Sequence, residues 1–170
     1  MKEPKFRRSL NVLQKDILLA LYKFRFCTVE VLVEYQGIKG NYIYERLKLL
    51  VDQGYIGRLF SDEDKINRKA ATYYLLTKGF QVLQTESDIN QKTLANAYND
   101  RRLGQVFIDR CLLTFQLYNK LRDIYGKDLT YLSKRELLAY DSFPKSLPDV
   151  YLSIGDKDYR LELFPSSTTC

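Results

Sequence analysis

The residues best suited to chemistry in this chain lie between positions 41 and 69. Asn41, Tyr42, Tyr44, Glu45, Arg46 and Lys48 fall within eight positions, and Arg58, Lys65, Asn67, Arg68 and Lys69 follow. These side chains suit nucleic acid. Asn can pair bidentately with adenine, Lys can reach guanine or phosphate, and a carboxylate can accept from cytosine. Tyr hydroxyls can donate to phosphate, and their rings can pack on sugar. Glu45 is the exception, because a carboxylate near phosphate is repelled; a solvated helix face is its plainer reading. What is missing also matters. There is no histidine, and Cys27, Cys111 and Cys170 are widely scattered with no CxxC. Histidine-dependent catalysis is excluded, as are most zinc sites. No metal or cofactor is expected, and Cys27 and Cys111 read as small buried residues.

The elements that must hold those residues can be read from periodicity. Leu10 to Arg25 reads as a helix, with Leu13, Ile17, Leu18, Leu21 and Tyr22 along one stripe. Thr28 is placed to cap a short helix over Val29 to Tyr35, with Val29, Leu32 and Val33 inward. Gln36 to Gly40 forms the turn. A third helix runs from Asn41 to Gln53, with Ile43, Leu47, Leu50 and Val51 inward, and Gly54 stops it. Asn41, Tyr42, Glu45 and Lys48 then face outward, with Tyr44 and Arg46 on the flanks. Tyr55 to Phe60 alternates as a strand, Ser61 to Asn67 is loop-like, and Arg68 to Leu76 returns as a second strand. Thr77 opens a further helix. Helix, helix-turn-helix, strand, basic loop, strand is the plan of a winged helix-turn-helix, with the third helix as reader and the hairpin as wing. The spelling LLVDQGYIGRLF…ATYYLLTKGF resembles that of winged-helix proteins.

Charge points the same way. The net charge is +6, and residues 1–80 carry 15 Lys/Arg against 9 Asp/Glu, whereas residues 81–170 carry 12 of each. The whole excess lies with the winged segment, which favours a polyanionic partner. No apolar run approaches the roughly 20 residues that span a bilayer. The basic N-terminus has no apolar stretch after it, so no signal peptide and a cytoplasmic location are expected. Residues 1–9 read as a tail or an arm along phosphates.

Residues 84–93 read as a linker. Leu94 to Tyr125 reads as one long helix or two, with Leu103, Val106, Phe107, Leu113, Leu117 and Leu121 in a broad apolar stripe. Leu129 to Leu132 reads as a strand, and Ser133 caps a short helix through Leu138. Asp149 to Ile154 and Tyr159 to Phe164 read as a hairpin about Gly155 to Asp158. The expectation is an α+β chain: a winged helix-turn-helix over 10–83, then a long helix and a small, truncated α/β segment over 94–164.

The stretches LQKDILLALYKFRFCTVEVLVE, NDRRLGQVFIDRCLLTFQLYNKL and LPDVYLSIGDKDYRLELF resemble the replication-relaxation family of plasmid and mobile-element proteins, from about Leu13 to Phe164. The resemblance implies a winged helix followed by a segment akin to restriction-endonuclease cores, and a role in plasmid replication, DNA relaxation or transfer. Such a core places Pro-Asp on one strand and Glu-x-Lys on the next, so that two carboxylates hold Mg²⁺. Pro148-Asp149 and Glu162 could be those carboxylates. The lysine position is Phe164, however, and the chain ends six residues later. The second half is therefore read as a remnant used for packing or dimerisation. The leading expectation is a non-enzymatic, sequence-specific double-stranded DNA-binding protein acting as a homodimer. It would serve replication, transfer as a relaxosome accessory, or transcription regulation. A metal-dependent nuclease and a protein-interaction adaptor are the alternatives.

Overall fold

The computed structural model describes residues 9–86, 103–140 and 146–162. In chain order the elements are α1 (Val12–Phe24), β1 (Phe26–Cys27), α2 (Val29–Gln36), α3 (Gly40–Asp52), β2 (Ile56–Leu59), α4 (Asp62–Ile66), β3 (Thr72–Leu75) and α5 (Thr77–Glu86). There follow α6 (Gln105–Tyr125), a 3-10 turn (Gly126–Asp128), β4 (Leu129–Ser133), α7 (Lys134–Leu137), β5 (Val150–Ile154) and β6 (Lys157–Leu161). The fold is α+β, with two antiparallel three-stranded sheets ordered β1-β3-β2 and β4-β5-β6. α1 to β3 make a winged helix-turn-helix.

Local chemistry accounts for the helix boundaries. Asn11 caps α1 by accepting from the Gln14 N–H at 2.8 Å, and the Gln14 side chain accepts from the Asn11 N–H at 3.0 Å. Thr28 caps α2 as expected, accepting from the Val31 N–H. α3 starts at Gly40, one residue before Asn41, with no side-chain cap. Its end is a Schellman turn. The Gly54 N–H donates to the Val51 carbonyl and the Tyr55 N–H to the Leu50 carbonyl, with Gly54 at φ +73°.

Several expectations need correction. Ser61 to Asn67 is not a plain loop, because Ser61 and Asp64 form a reciprocal capping box that nucleates α4. The returning strand is only Thr72–Leu75, since Arg68 and Lys69 close the end of α4 and Ala70 and Ala71 lie outside the ladder. Phe26–Cys27, between the first two helices, is a strand paired to β3. The last hairpin turns over Gly155-Asp156 alone, with Ile154 opposite Lys157, so β6 begins two residues early. Part of the expected linker, 84–86, continues α5; the rest of it, with 94–102, Pro144 and the two termini, lies outside the described residues.

The first sheet is covered on both faces, which is why β3 is buried along its whole length. On one side Cys27, Ile56, Tyr73 and Leu75 join Ile17, Leu18, Leu21, Leu32, Ile43, Leu47 and Leu50. On the other, Phe26 and Tyr74 meet Ile108 and Cys111 of α6. The first core also continues into the second half through Phe115, Tyr131, Val150 and Leu152. At that junction the Phe24 and Phe115 rings stack 4.0 Å apart, and Tyr118 and Tyr131 pack around them. α6 does not bury the expected stripe. Its buried face is Ile108, Cys111, Thr114, Phe115 and Asn119, while Val106 is 75 % and Leu113 44 % exposed. Apolar residues occur nearly all round this helix, so periodicity alone could not choose the face.

Candidate nucleic-acid interface

α3 separates its side chains sharply. Ile43, Leu47 and Leu50 are completely buried, whereas Asn41, Tyr42, Tyr44, Glu45 and Lys48 are exposed. Arg46 is half-buried. Its Nη2 donates to the Tyr42 hydroxyl at 3.1 Å, and its guanidinium lies 4.6 Å from the centre of the Tyr42 ring. This i, i+4 pair stiffens two of the candidate contacts against each other. Arg46 Nε is buried and has no hydrogen-bond partner among the described residues.

In the β2–β3 ladder Arg58 stands opposite Tyr73. Its guanidinium lies 4.6 Å from the Phe60 ring centre and is near enough to the Tyr73 hydroxyl to act on its pKa. Burial pushes the Tyr73 hydroxyl pKa up, against the pull of Arg58, and Tyr44 of α3 is close enough to be felt there as well. Gly57 is needed beside this pair, since a Cβ there would run into the Tyr74 ring.

Beyond β2 the wing is built on α4. Its first turn holds Asp62, Glu63 and Asp64, which suits the positive end of the peptide dipoles. The Ser61 N–H and hydroxyl both donate to the Asp64 carboxylate at 2.8 Å and hold its pKa below the ordinary value. Lys65, Arg68 and Lys69 collect at the other end of the helix, and all are exposed. The Arg68 N–H donates to the Lys65 carbonyl and the Lys69 N–H to the Asp64 carbonyl, the same Schellman pattern as at Gly54, but with Arg68 at φ +53°. Acid and base that alternate along the sequence are thus sorted to opposite ends of one helical turn, and the basic end includes the exposed Asn67.

Two functional supports left no signal in the sequence. Arg122 of α6 donates to the carbonyls of Tyr35 at 2.8 Å and Glu34 at 3.2 Å, capping the C-terminus of α2. Asn119 donates to the Val31 carbonyl at 3.1 Å from a fully buried position. The second half therefore grips the first helix of the helix-turn-helix by its backbone. Backbone carbonyls carry no residue type, so no motif marks such a grip.

The two carboxylates considered for metal chemistry sit apart from this face. The β5–β6 register ends at Val150 opposite Leu161, which sets Asp149 and Glu162 at the adjoining position. Asp149 is 3.7 Å from the Arg110 guanidinium, and Glu162 is exposed. Among the described residues no three His, Cys, Asp or Glu side chains are grouped to hold a metal, and no helix is long and apolar enough to cross a membrane. Cys27 and Cys111 are buried, and burial pushes the Cys27 thiol pKa up.

No family model and no curated protein sequence matches the chain. Several solved structures are similar to it at low identity. A MepR-like protein complexed with pseudoligands shares 19 % identity over 68 % of this chain and 75 % of that one, at a TM-score of 0.40. A mutant of MarR from E. coli complexed with operator DNA shares 16 %, covering 68 % and 76 %, at 0.42. A mutant of ZitR from Lactococcus lactis shares 16 %, covering 74 % and 82 %, at 0.40. A likeness of this degree fixes neither family nor ligand.

Proposed function

We propose that this chain is a non-enzymatic, sequence-specific double-stranded DNA-binding protein that reads the major groove with α3 and touches the flanking backbone with its wing. The observation that carries the reading is the division of α3. One face is wholly buried and the other offers Asn41, Tyr42, Tyr44, Glu45 and Lys48 to solvent. The second support is the charge split, with the whole +6 excess in residues 1–80. On the resemblance to replication-relaxation proteins, the target is a replication or transfer origin of a plasmid or mobile element, or the protein's own promoter. Residues 10–83 bind, and residues 94–164 brace them and pair two copies.

Footprinting on selected fragments, repeated across salt concentrations, tests the reading. One sequence is protected well above the rest. Lys48→Ala reduces that preference by about 1–3 kcal/mol. Replacing Arg68 and Lys69 together with Ala weakens binding to all sequences and lowers the salt slope by about 2. If no sequence is preferred, the winged fold serves a protein partner instead. An unchanged salt slope removes Arg68 and Lys69 from the contact.

A further inference from the structure

Tyr42 and Arg46 stand one turn apart on α3, and their side chains form a unit. Tyr42 is 45 % exposed, whereas Arg46 is half-buried. Arg46 Nη2 donates to the Tyr42 hydroxyl oxygen at 3.1 Å, and the guanidinium carbon lies 4.6 Å from the ring centre. The arginine therefore holds the phenol at two points, its face and its oxygen, which fixes the direction of the ring. Arg46 Nε meanwhile is buried with no hydrogen-bond partner among the described residues. An unpaired buried N–H costs free energy. The arrangement does not maximise the hydrogen bonding of Arg46 itself; what it secures is the tyrosine.

The direction of that hydrogen bond has a chemical consequence. A phenol hydroxyl has one hydrogen to give and lone pairs with which to accept, whereas a guanidinium can only donate. With Arg46 on the oxygen, the Tyr42 hydrogen is turned away from the arginine. A charged donor on the oxygen also polarises the O–H bond and strengthens it as a donor. A free tyrosine hydroxyl could accept from the amino groups of adenine or cytosine as readily as it gives to an acceptor. This one is committed to giving. The positive charge behind it favours an anionic acceptor over a neutral one.

We propose that Tyr42 contacts a backbone phosphate through its hydroxyl, and that Arg46 is a positioning residue that acts through Tyr42 instead of reading a base. This assignment rests on the DNA-binding reading above and names, within it, the acceptor that Tyr42 meets. Tyr42 is the third residue of α3, and the N-terminal part of a reader helix is the part that approaches the groove. A phosphate contact there carries no sequence information but sets the register of the helix on the duplex. Discrimination between bases is left to Asn41, Glu45 and Lys48.

Duplexes of the fragment selected by footprinting, each with a single methylphosphonate in place of one phosphate, test the proposal on the full chain. The methylphosphonate removes the charge at one linkage and leaves the bases alone. At the contacted linkage it weakens binding of the parent chain about tenfold, the loss expected for a hydrogen bond to a charged group. Tyr42→Phe keeps the ring, weakens binding to the unmodified fragment by a similar factor, and no longer responds to the methylphosphonate at that linkage. It leaves the ranking of fragments unchanged, since a phosphate contact acts alike on every sequence. Arg46→Met silences the same linkage, and joining it to Tyr42→Phe adds less than about twofold. A merely structural role for Arg46 would weaken binding without silencing one linkage. Tyr42→Phe, on an exposed ring, decides the matter even where Arg46→Met is too unstable to assay. The proposal is overturned if Tyr42→Phe responds to every methylphosphonate as the parent does, or if it re-orders the fragments. It fails equally if the losses of the two substitutions multiply, which would place Arg46 on the DNA separately. A parent chain that prefers no fragment overturns the DNA-binding reading and this assignment with it.

Discussion

Arg68 and Gly54 occupy the same place in the same helix-ending motif, and only one of them belongs there by conformation. Gly54 at φ +73° pays no steric penalty, whereas Arg68 at φ +53° carries a Cβ into a region that costs an L-residue roughly 1–2 kcal/mol. The arginine side chain is exposed, so the fold gains no packing from it. Charge at the wing tip is the remaining benefit. Arg68→Gly is therefore expected to raise wing stability by about 0.5–1 kcal/mol, because relief of strain exceeds the extra chain entropy of glycine. Hydrogen exchange at the Arg68–Lys69 turn will show slower opening. The same variant should lower DNA affinity uniformly and reduce the salt slope by about 1. Slower exchange with unaltered binding would leave the strain without a functional reason.

At the scale of elements, the decisive contact is α6 against α2. The last carbonyls of α2 have no partners within the helix, and Arg122 supplies charged donors to two of them. A helix C-terminus also favours a cation. Charged hydrogen bonds of this kind contribute about 1.5–3 kcal/mol each when buried, but this side chain is 30 % exposed, so Arg122→Ala should cost about 1–2 kcal/mol in all. Urea unfolding measures the loss. Arg122→Lys should recover part of it, since an ammonium can reach one carbonyl but cannot fork between two. Equal losses for the two variants would point to packing against Tyr35 and Tyr118 as the cause.

Across the whole molecule, the first core runs from the helix-turn-helix through α6 into the second sheet. What that packing leaves over is a separate apolar stripe. Val106, Leu113 and Ile124 are 75 %, 44 % and 70 % exposed, and their spacings of seven and eleven residues put them on one face of α6. A homodimer joined there would set two reader helices about a two-fold axis, as a palindromic site requires. Light scattering should then give twice the 20.0 kDa chain mass. Val106→Asp with Ile124→Asp should give a folded monomer with weaker binding to a two-half site. A wild-type monomer at high concentration would end the dimer reading.

Much of the winged domain could be read directly from residue order. Local rules place Thr28 as a cap and the two glycines Gly37 and Gly54 at helix ends. They also divide α3 into a buried and an exposed face, because a period of 3.6 leaves Ile43, Leu47 and Leu50 on one side. The capping pair Ser61 and Asp64 was equally local, but the acidic run around it reads as loop until its two hydrogen bonds are seen. Tertiary structure alone decided three things. It chose the buried face of α6, since apolar residues surround that helix and the sheets, α1 and α2 packed against it select among them. It set Arg122 and Asn119 on the backbone of α2, a partnership that leaves no mark in the types of the residues gripped. It also gathered Lys23, Arg25, Arg110, Lys134 and Arg135, far apart in the chain, around one cavity in the seam between the winged domain and the second half. Periodicity and capping act within a few residues, so the sequence by itself determined the winged helix and its outward face. The seam, the brace and the cavity depend on contacts across about a hundred positions, and only packing could make them.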